Sequence, residues 1–165
     1  MPSIKKNKYN YFPQTKEELQ DIVDKRIKEE GNNVDLNDID VSNITDMSYL
    51  FSNFKQFNGN ISNWDVSNVI NMRFTFCGCF NFNQDISNWD VSNVKDMKGM
   101  FLNCEAFNQD ISSWDVSNVT NMIAMFFDCK DFNCDISNWD VSNVKNIKFM
   151  FFRCPIEDKY KPKFN

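Results

Sequence analysis

The side chains best suited to chemistry in this chain are aspartates and cysteines, and both recur on a fixed spacing. Asp65, Asp90, Asp115 and Asp140 stand 25 residues apart, with Asp40 one step before them. Stacked carboxylates resemble the oxygen ligands of a calcium ladder, but the repeats lack the Gly-rich loops of calcium-binding coils. Like charges placed opposite one another repel. The plainer expectation is that these side chains hold turns by accepting hydrogen bonds from neighbouring Ser and backbone N–H groups. A second ladder, Asn60, Asp85, Asp110 and Asp135, carries the same expectation. Cys79, Cys104, Cys129 and Cys154 share the 25-residue spacing. Equivalent side chains in stacked units point in parallel, which is poor disulfide geometry, so a column of buried, reduced thiols is expected. Cys77 makes a C-x-C with Cys79 and Cys134 lies off the column, but no second pair sits at zinc-ligand spacing. The chain has no histidine, which removes the usual general acid–base. The aspartates are too uniform to divide into acid and base. No enzyme, cofactor or metal is expected.

What positions these residues is a repeat. The chain reads NISNWDVSNV from Asn60, DISNWDVSNV from Asp85, DISSWDVSNV from Asp110 and DISNWDVSNV from Asp135. A strict period of this size means stacked supersecondary units. The 165 residues suit one domain, and a net charge of -5, from 18 basic and 23 acidic side chains, gives no global attraction to nucleic acid or anionic lipid. No apolar run approaches a membrane span. The N-terminal MPSIKKNKYNYFPQ has no apolar stretch behind its basic residues, so no signal peptide is read. A cytoplasmic protein is expected, or a surface protein if the chain has been trimmed.

Three regions follow: an arm and capping helix over 1–33, about five 25-residue coils over 34–154, and a polar tail over 155–165. Thr15 with Glu18 makes a capping box, Leu19, Ile22, Val23 and Ile27 share a helical face, and Gly31 stops it. This predicts an amphipathic helix over Lys16 to Glu30. In each coil, Ile61-x-x-Trp64-x-Val66 and its equivalents predict a strand. Met72, Thr75, Phe76 and Cys79 and their equivalents, at i, i+3, i+4 and i+7, predict a short helix whose N-caps are Asp46, Asn71, Asp96, Asn121 and Asn146. The expected fold class is α/β: a right-handed leucine-rich-repeat-like solenoid with one short parallel strand and one short helix per coil.

The unit FNQDISNWDVSNV, followed by Met-x-x-Met-Phe-x-x-Cys, resembles the BspA-like leucine-rich repeat family, widespread in bacterial surface lipoproteins and notably those of mycoplasmas. The resemblance covers about Val34 to Cys154. It implies a leucine-rich-type solenoid without enzymatic activity and a role in adhesion or protein binding. The chain differs from surface members in showing no export signal and no lipid-attachment cysteine near its start.

Positions that every coil shares are explained by an environment that every coil shares, so positions that vary are more informative about a partner. Phe74, Ile123, Phe127, Phe149 and Phe152 are large apolar residues at variable positions, with Lys148 and Arg153 among the later ones. Aromatic anchors beside basic groups are the composition of interface hot spots. The expectation is a non-enzymatic protein-binding module, an intracellular binder or inhibitor of a partner protein. The alternatives are a surface adhesin fragment and a nucleic-acid-associated protein using the basic C-terminal end. The rival surface is the ladder Asp65, Asp90, Asp115 and Asp140.

Overall fold

The computed structural model describes residues 8–164; the first seven residues of the expected arm, and Asn165 of the tail, lie outside the described residues. Helix α1 (Lys16–Glu30) has its start written locally. The Thr15 hydroxyl accepts the Glu18 N–H at 3.2 Å, and the Glu18 carboxylate accepts the Gln14 N–H at 2.6 Å, which satisfies donors that a helix start leaves free. Gly31 ends it at φ +91, a conformation that side chains resist. Leu19, Val23 and Ile27 form the buried face of α1.

Beyond α1 the chain winds in stacked coils whose identical residues lie above one another. Phe51, Phe76, Phe101, Phe126 and Phe151 form one column, with ring centroids 5.3, 5.6, 5.7 and 5.8 Å apart. Phe57, Phe82, Phe107 and Phe132 form a second, at 6.0, 6.0 and 5.9 Å. Within a coil the two columns meet at 4.0 to 4.2 Å. Every ring of these columns is fully buried except Phe151 in the last coil, which is half-buried. Buried polar atoms are satisfied from coil to coil as well. The indoles of Trp64, Trp89, Trp114 and Trp139 donate to the carbonyls of Leu36, Ile61, Ile86 and Ile111 at 2.9 to 3.2 Å. Such pairing is what lets a large ring with one polar atom sit in a core.

The expected α/β solenoid, with a strand and a helix in each coil, is not what the chain forms. Besides α1, the described residues contain one 3-10 turn, Asp158–Tyr160, and six isolated parallel bridges, with no strand and no second α-helix. The expected helices fail for a local reason. Asp46, Asn71, Asp96, Asn121 and Asn146 do accept the N–H two residues on through Oδ1. The third residue after each, however, is left-handed: Tyr49, Phe74, Gly99, Ala124 and Phe149 have φ between +53 and +61. A left-handed residue cannot continue a right-handed helix. Alternate N–H groups then run along the stack. Met72, Phe74, Phe76 and Gly78 donate to the carbonyls of Asp96, Lys98, Met100 and Leu102 at 2.8 to 3.0 Å. Between them, Thr75, Cys77 and Cys79 donate three residues back, to Met72, Phe74 and Phe76, at 3.4, 3.1 and 2.9 Å.

The expected strand is a pair of tight turns. Trp64 N–H folds back to the Ile61 carbonyl at 3.1 Å and Val69 N–H to Val66 at 2.9 Å, so those amides are spent within the coil and cannot form a ladder. Neighbouring coils are joined there by side chains, as where Asn68 Nδ2 donates to the Ser42 carbonyl at 2.7 Å. The alternation of sides survives, with Trp64 and Val66 buried and Asn63 and Asp65 exposed.

Candidate functional site

The two aspartate ladders hold turns. Asp65 Oδ1 accepts the Ser67 N–H at 3.1 Å and its hydroxyl at 2.6 Å, and Asp90 treats Ser92 alike at 3.0 and 2.6 Å. Asp115 and Asp140 accept the N–H of Ser117 and Ser142, each at 3.0 Å. Asp85, Asp110 and Asp135 pair in the same way with Ser87, Ser112 and Ser137. Hydrogen bonds from these serines hold Asp85, Asp110, Asp115, Asp135 and Asp140 below the usual aspartate range. Such a bond is a favourable interaction of the charged form, and it offsets the repulsion that a carboxylate ladder implies. Among the described residues, no group of three or more His, Cys, Asp or Glu side chains is placed to hold a metal ion.

The cysteine column packs inward. Cys79, Cys104 and Cys129 are fully buried, and their thiols lie against the carbonyls of Phe51, Phe76 and Phe101 at 3.2, 2.9 and 2.9 Å. Burial pushes all three thiols well up from their ordinary value, which keeps them in the unreactive protonated form. All six cysteines are free, and Cys154, in the last coil, is only half-buried.

The variable positions behave differently at the two ends of the stack. Phe74 lies toward the beginning, stacked on Tyr49 with centroids 5.0 Å apart. Its ring covers the α-carbon of Gly99, where an added Cβ would come within 2.2 Å of it. Phe74 is thus separate from the later aromatics, and Ile123 is half-buried between the two groups in the chain order. Phe127, Phe149 and Phe152 are brought together. Phe127 stacks on Phe152 at 4.9 Å, and Phe149 meets Phe152 edge-on at 6.0 Å. Phe149 is 53% exposed and Phe152 46%. Lys148 Nζ lies 5.1 Å from the Phe149 ring centre and the Arg153 guanidinium 5.5 Å from that of Phe152, both within cation–π range. Arg153 also reaches Asp128 at 3.5 Å, Lys159 pairs with Glu157 at 2.9 Å and Lys161 with Asp158 at 2.7 Å. Lys145 and Lys148 have no carboxylate partner among the described residues.

The sequence reading missed Tyr49, which is half exposed, and the open state of the last coil. Ile147 is the equivalent of Met72 in the last coil, where the repeat predicts a buried side chain, yet it is 39% exposed. Pattern could not reveal this, because Ile147 is an apolar residue in the register of buried methionines, and what sets it apart is that no further coil among the described residues lies over it. No helix among the described residues is long and apolar enough to cross a membrane.

One family model, described as Mycoplasma protein of unknown function, DUF285, matches residues 17–123 and again 88–160. No curated protein and no solved structure matches the chain.

Proposed function

The chain belongs to that Mycoplasma protein family of unknown function, DUF285, and from this premise we propose that it is a non-enzymatic protein-binding module that engages one partner protein through the C-terminal end of its stack. The observation that carries the reading is the cluster of Phe127, Phe149 and Phe152 with Lys148 and Arg153. Two of its rings are half exposed, and two cations lie over them. Exposed aromatics in contact with one another and rimmed by cations are what partner proteins bury as anchors. The aspartate face is the weaker candidate. Its Oδ1 atoms accept serine amides in every repeat, and serine hydroxyls as well at Asp65 and Asp90, so a partner there would meet oxygens already engaged in turns and the same from coil to coil.

The test is a pair of double variants assayed against a partner isolated with the intact chain as bait. Phe149→Ala with Phe152→Ala should weaken the complex by about 2 kcal/mol or more, while Asp90→Ala with Asp115→Ala leaves affinity within a few tenths of a kcal/mol. The opposite pattern, with both variants folded, would place the interface on the aspartate face and remove this reading.

A further inference from the structure

The last coil ends in a row of backbone donors. In each of the three coils before it, four alternate N–H groups bond forward: those of Met97, Gly99, Phe101 and Asn103 reach the carbonyls of Asn121, Ile123, Met125 and Phe127 at 2.8 to 3.0 Å. Met122, Ala124, Phe126 and Asp128 repeat this onto Asn146, Lys148, Met150 and Phe152. The equivalent groups of the last coil are the N–H of Ile147, Phe149, Phe151 and Arg153, and none has an acceptor among the described residues. The carbonyls of Ile147, Phe149 and Phe151 are turned inward to Met150, Phe152 and Cys154. This stretch of edge therefore presents donors alone. One acceptor stands at its start, because Lys145 N–H bonds backward to Thr120 and leaves its own carbonyl outward. The tail leaves these amides without an acceptor and touches the stretch where Lys161 Nζ lies 5.7 Å from the Phe151 ring centre. It lies over the other side of the coil, where Ile136 N–H donates to the Tyr160 carbonyl at 3.0 Å and Glu157 N–H to Asn133 Oδ1 at 2.9 Å.

We infer that this edge binds an acidic segment of the partner protein, laid parallel to residues 145–153 and taking the turn-interrupted backbone of one further coil segment. The inference rests on the protein-binding reading above and specifies its mode. The fold itself supplies the template. Residues 120–127 already occupy the equivalent edge of the coil before, with Thr120 N–H on the Lys95 carbonyl and four alternate carbonyls on four donors. Charge chooses among occupants. Peptide units aligned head to tail along the stack leave their positive ends at this edge, as at a helix N-terminus, and Lys145 and Lys148 add full charges without carboxylate partners. An acidic segment complements both. Its apolar side chains would cover Ile147, Phe149 and Phe152, as strand addition at an open edge does elsewhere. A second copy fits poorly in either orientation. Two such ends would set donors against donors, and at the other end α1 lies across the first coil, with Gln20 Nε2 already on the Leu50 carbonyl at 2.9 Å.

The probe is a synthetic peptide copying residues 120–128 between flanking glutamates, titrated into the isotope-labelled full chain and read by amide NMR. The expected result is saturable shifts and slowed exchange at the Ile147, Phe149, Phe151 and Arg153 amides. Affinity should fall roughly tenfold or more in a Lys145→Glu, Lys148→Glu variant, or when lysines replace the flanking glutamates. If the peptide moves aromatic signals but leaves those four amides unprotected, the edge mode is wrong and the protein-binding reading survives. Absence of any shift at millimolar peptide, preferential binding of an oligothymidine, or concentration-dependent self-association that protects the same amides without peptide would each overturn the inference. Binding of an isolated partner that depends on Phe149 and Phe152 but is indifferent to Lys145 and Lys148 would likewise overturn it and leave the proposed function standing.

Discussion

At the N-terminal end of the stack, α1 and the segment around Tyr11 lie across the first coil. At the C-terminal end, the tail from Pro155 covers one side of the last coil and leaves the other open. The first closure is tight. Tyr11 pairs with Ile39 as a parallel bridge, Asp40 N–H donates to the Tyr11 carbonyl at 2.9 Å, and Lys16 Nζ reaches Ser48 Oγ at 2.6 Å. Arg26 is nearly buried against this seal, bonded to Glu30, to Asp38 at 2.8 Å and to the Asp35 carbonyl at 2.9 Å, with the Tyr11 ring 5.3 Å away. The second closure leaves Ile147, Phe149 and Phe152 exposed. The backbone of the stack leaves carbonyls at one end and amides at the other, but the side chains of near-identical coils do not decide how fully each end is covered. The difference is therefore a property of the terminal elements, and each can be altered separately.

The largest effect should come from breaking the sealed end. Deleting residues 1–31 exposes the core beneath Leu19, Val23 and Ile27, and the shortened chain should aggregate or melt without a sharp transition in circular dichroism. Deleting residues 156–165 should lower Tm by a few degrees and keep one transition, because only part of an end is uncovered. Next, Phe76→Ala removes a ring stacked on both sides in the column and should cost about 3–5 kcal/mol in denaturant titration. Phe151→Ala, at the half-buried end of the same column, should cost about 1 kcal/mol. Equal losses would mean that the last coil is as well packed as the middle.

A smaller change tests the left-handed positions. Gly99 has φ +59 and lies under the Phe74 ring, so Gly99→Ala should destabilise by about 1–2 kcal/mol. Ala124 adopts the same conformation with a Cβ in place, so Phe74→Ala, which removes the ring over Gly99, should relieve part of that loss. Thiol labelling then maps the ends without mutation. In the native state Cys154 should react at least about tenfold faster than Cys79, Cys104 and Cys129, whose thiols are buried and protonated. Uniform, rapid labelling would contradict the core.

The mildest effect is acid loss of stability. Asp110, Asp115 and Asp140 are held below their ordinary range by serine hydrogen bonds. A depressed native value means that the unfolded chain takes up the proton first. The stabilisation is complete above the ordinary aspartate value of about 3.9 and is lost as pH falls below it through the native values. Tm should stay flat from about pH 8 to 5 and decline below about pH 4, and the Asp115→Asn variant should show a shallower decline.

How much of this was legible in the sequence depends on which residues carried the signal. Thr15, Glu18 and Gly31 specify α1 by caps alone, and its bounds follow. Inward and outward sides were legible too, because Trp64 and Val66 against Asn63 and Asp65 differ in polarity whatever the backbone does. The backbone of the coil was not. Buried residues at i, i+3, i+4 and i+7 arise from a helix, and equally from tight turns interrupted by left-handed residues. The left-handed column is Tyr49, Phe74, Gly99, Ala124 and Phe149, and only its glycine advertises the conformation. A better clue lay in the Asp-x-Ser pairs, whose side chains close turns. With two such pairs in each of the units from Asp85, Asp110 and Asp135, and Asn60-x-Ser62 standing in for one in the unit before, little chain is left for regular elements. The aromatic cluster was found through variation between coils. The donor edge was invisible, because in a helix those same amides would have been paired internally.

Because the bonds between neighbouring coils run along the stack, they are also the bonds that tension would load first. Each coil is tied to the next by the same short row of forward amides, and the last coil has neighbours on one side only. A chain held at its two ends and stretched would therefore give way from the C-terminal side, one coil at a time. Each coil's 25 residues would release about 80–90 Å of contour length. Such a molecule extends in steps under load and recoils by restacking onto the coils that remain.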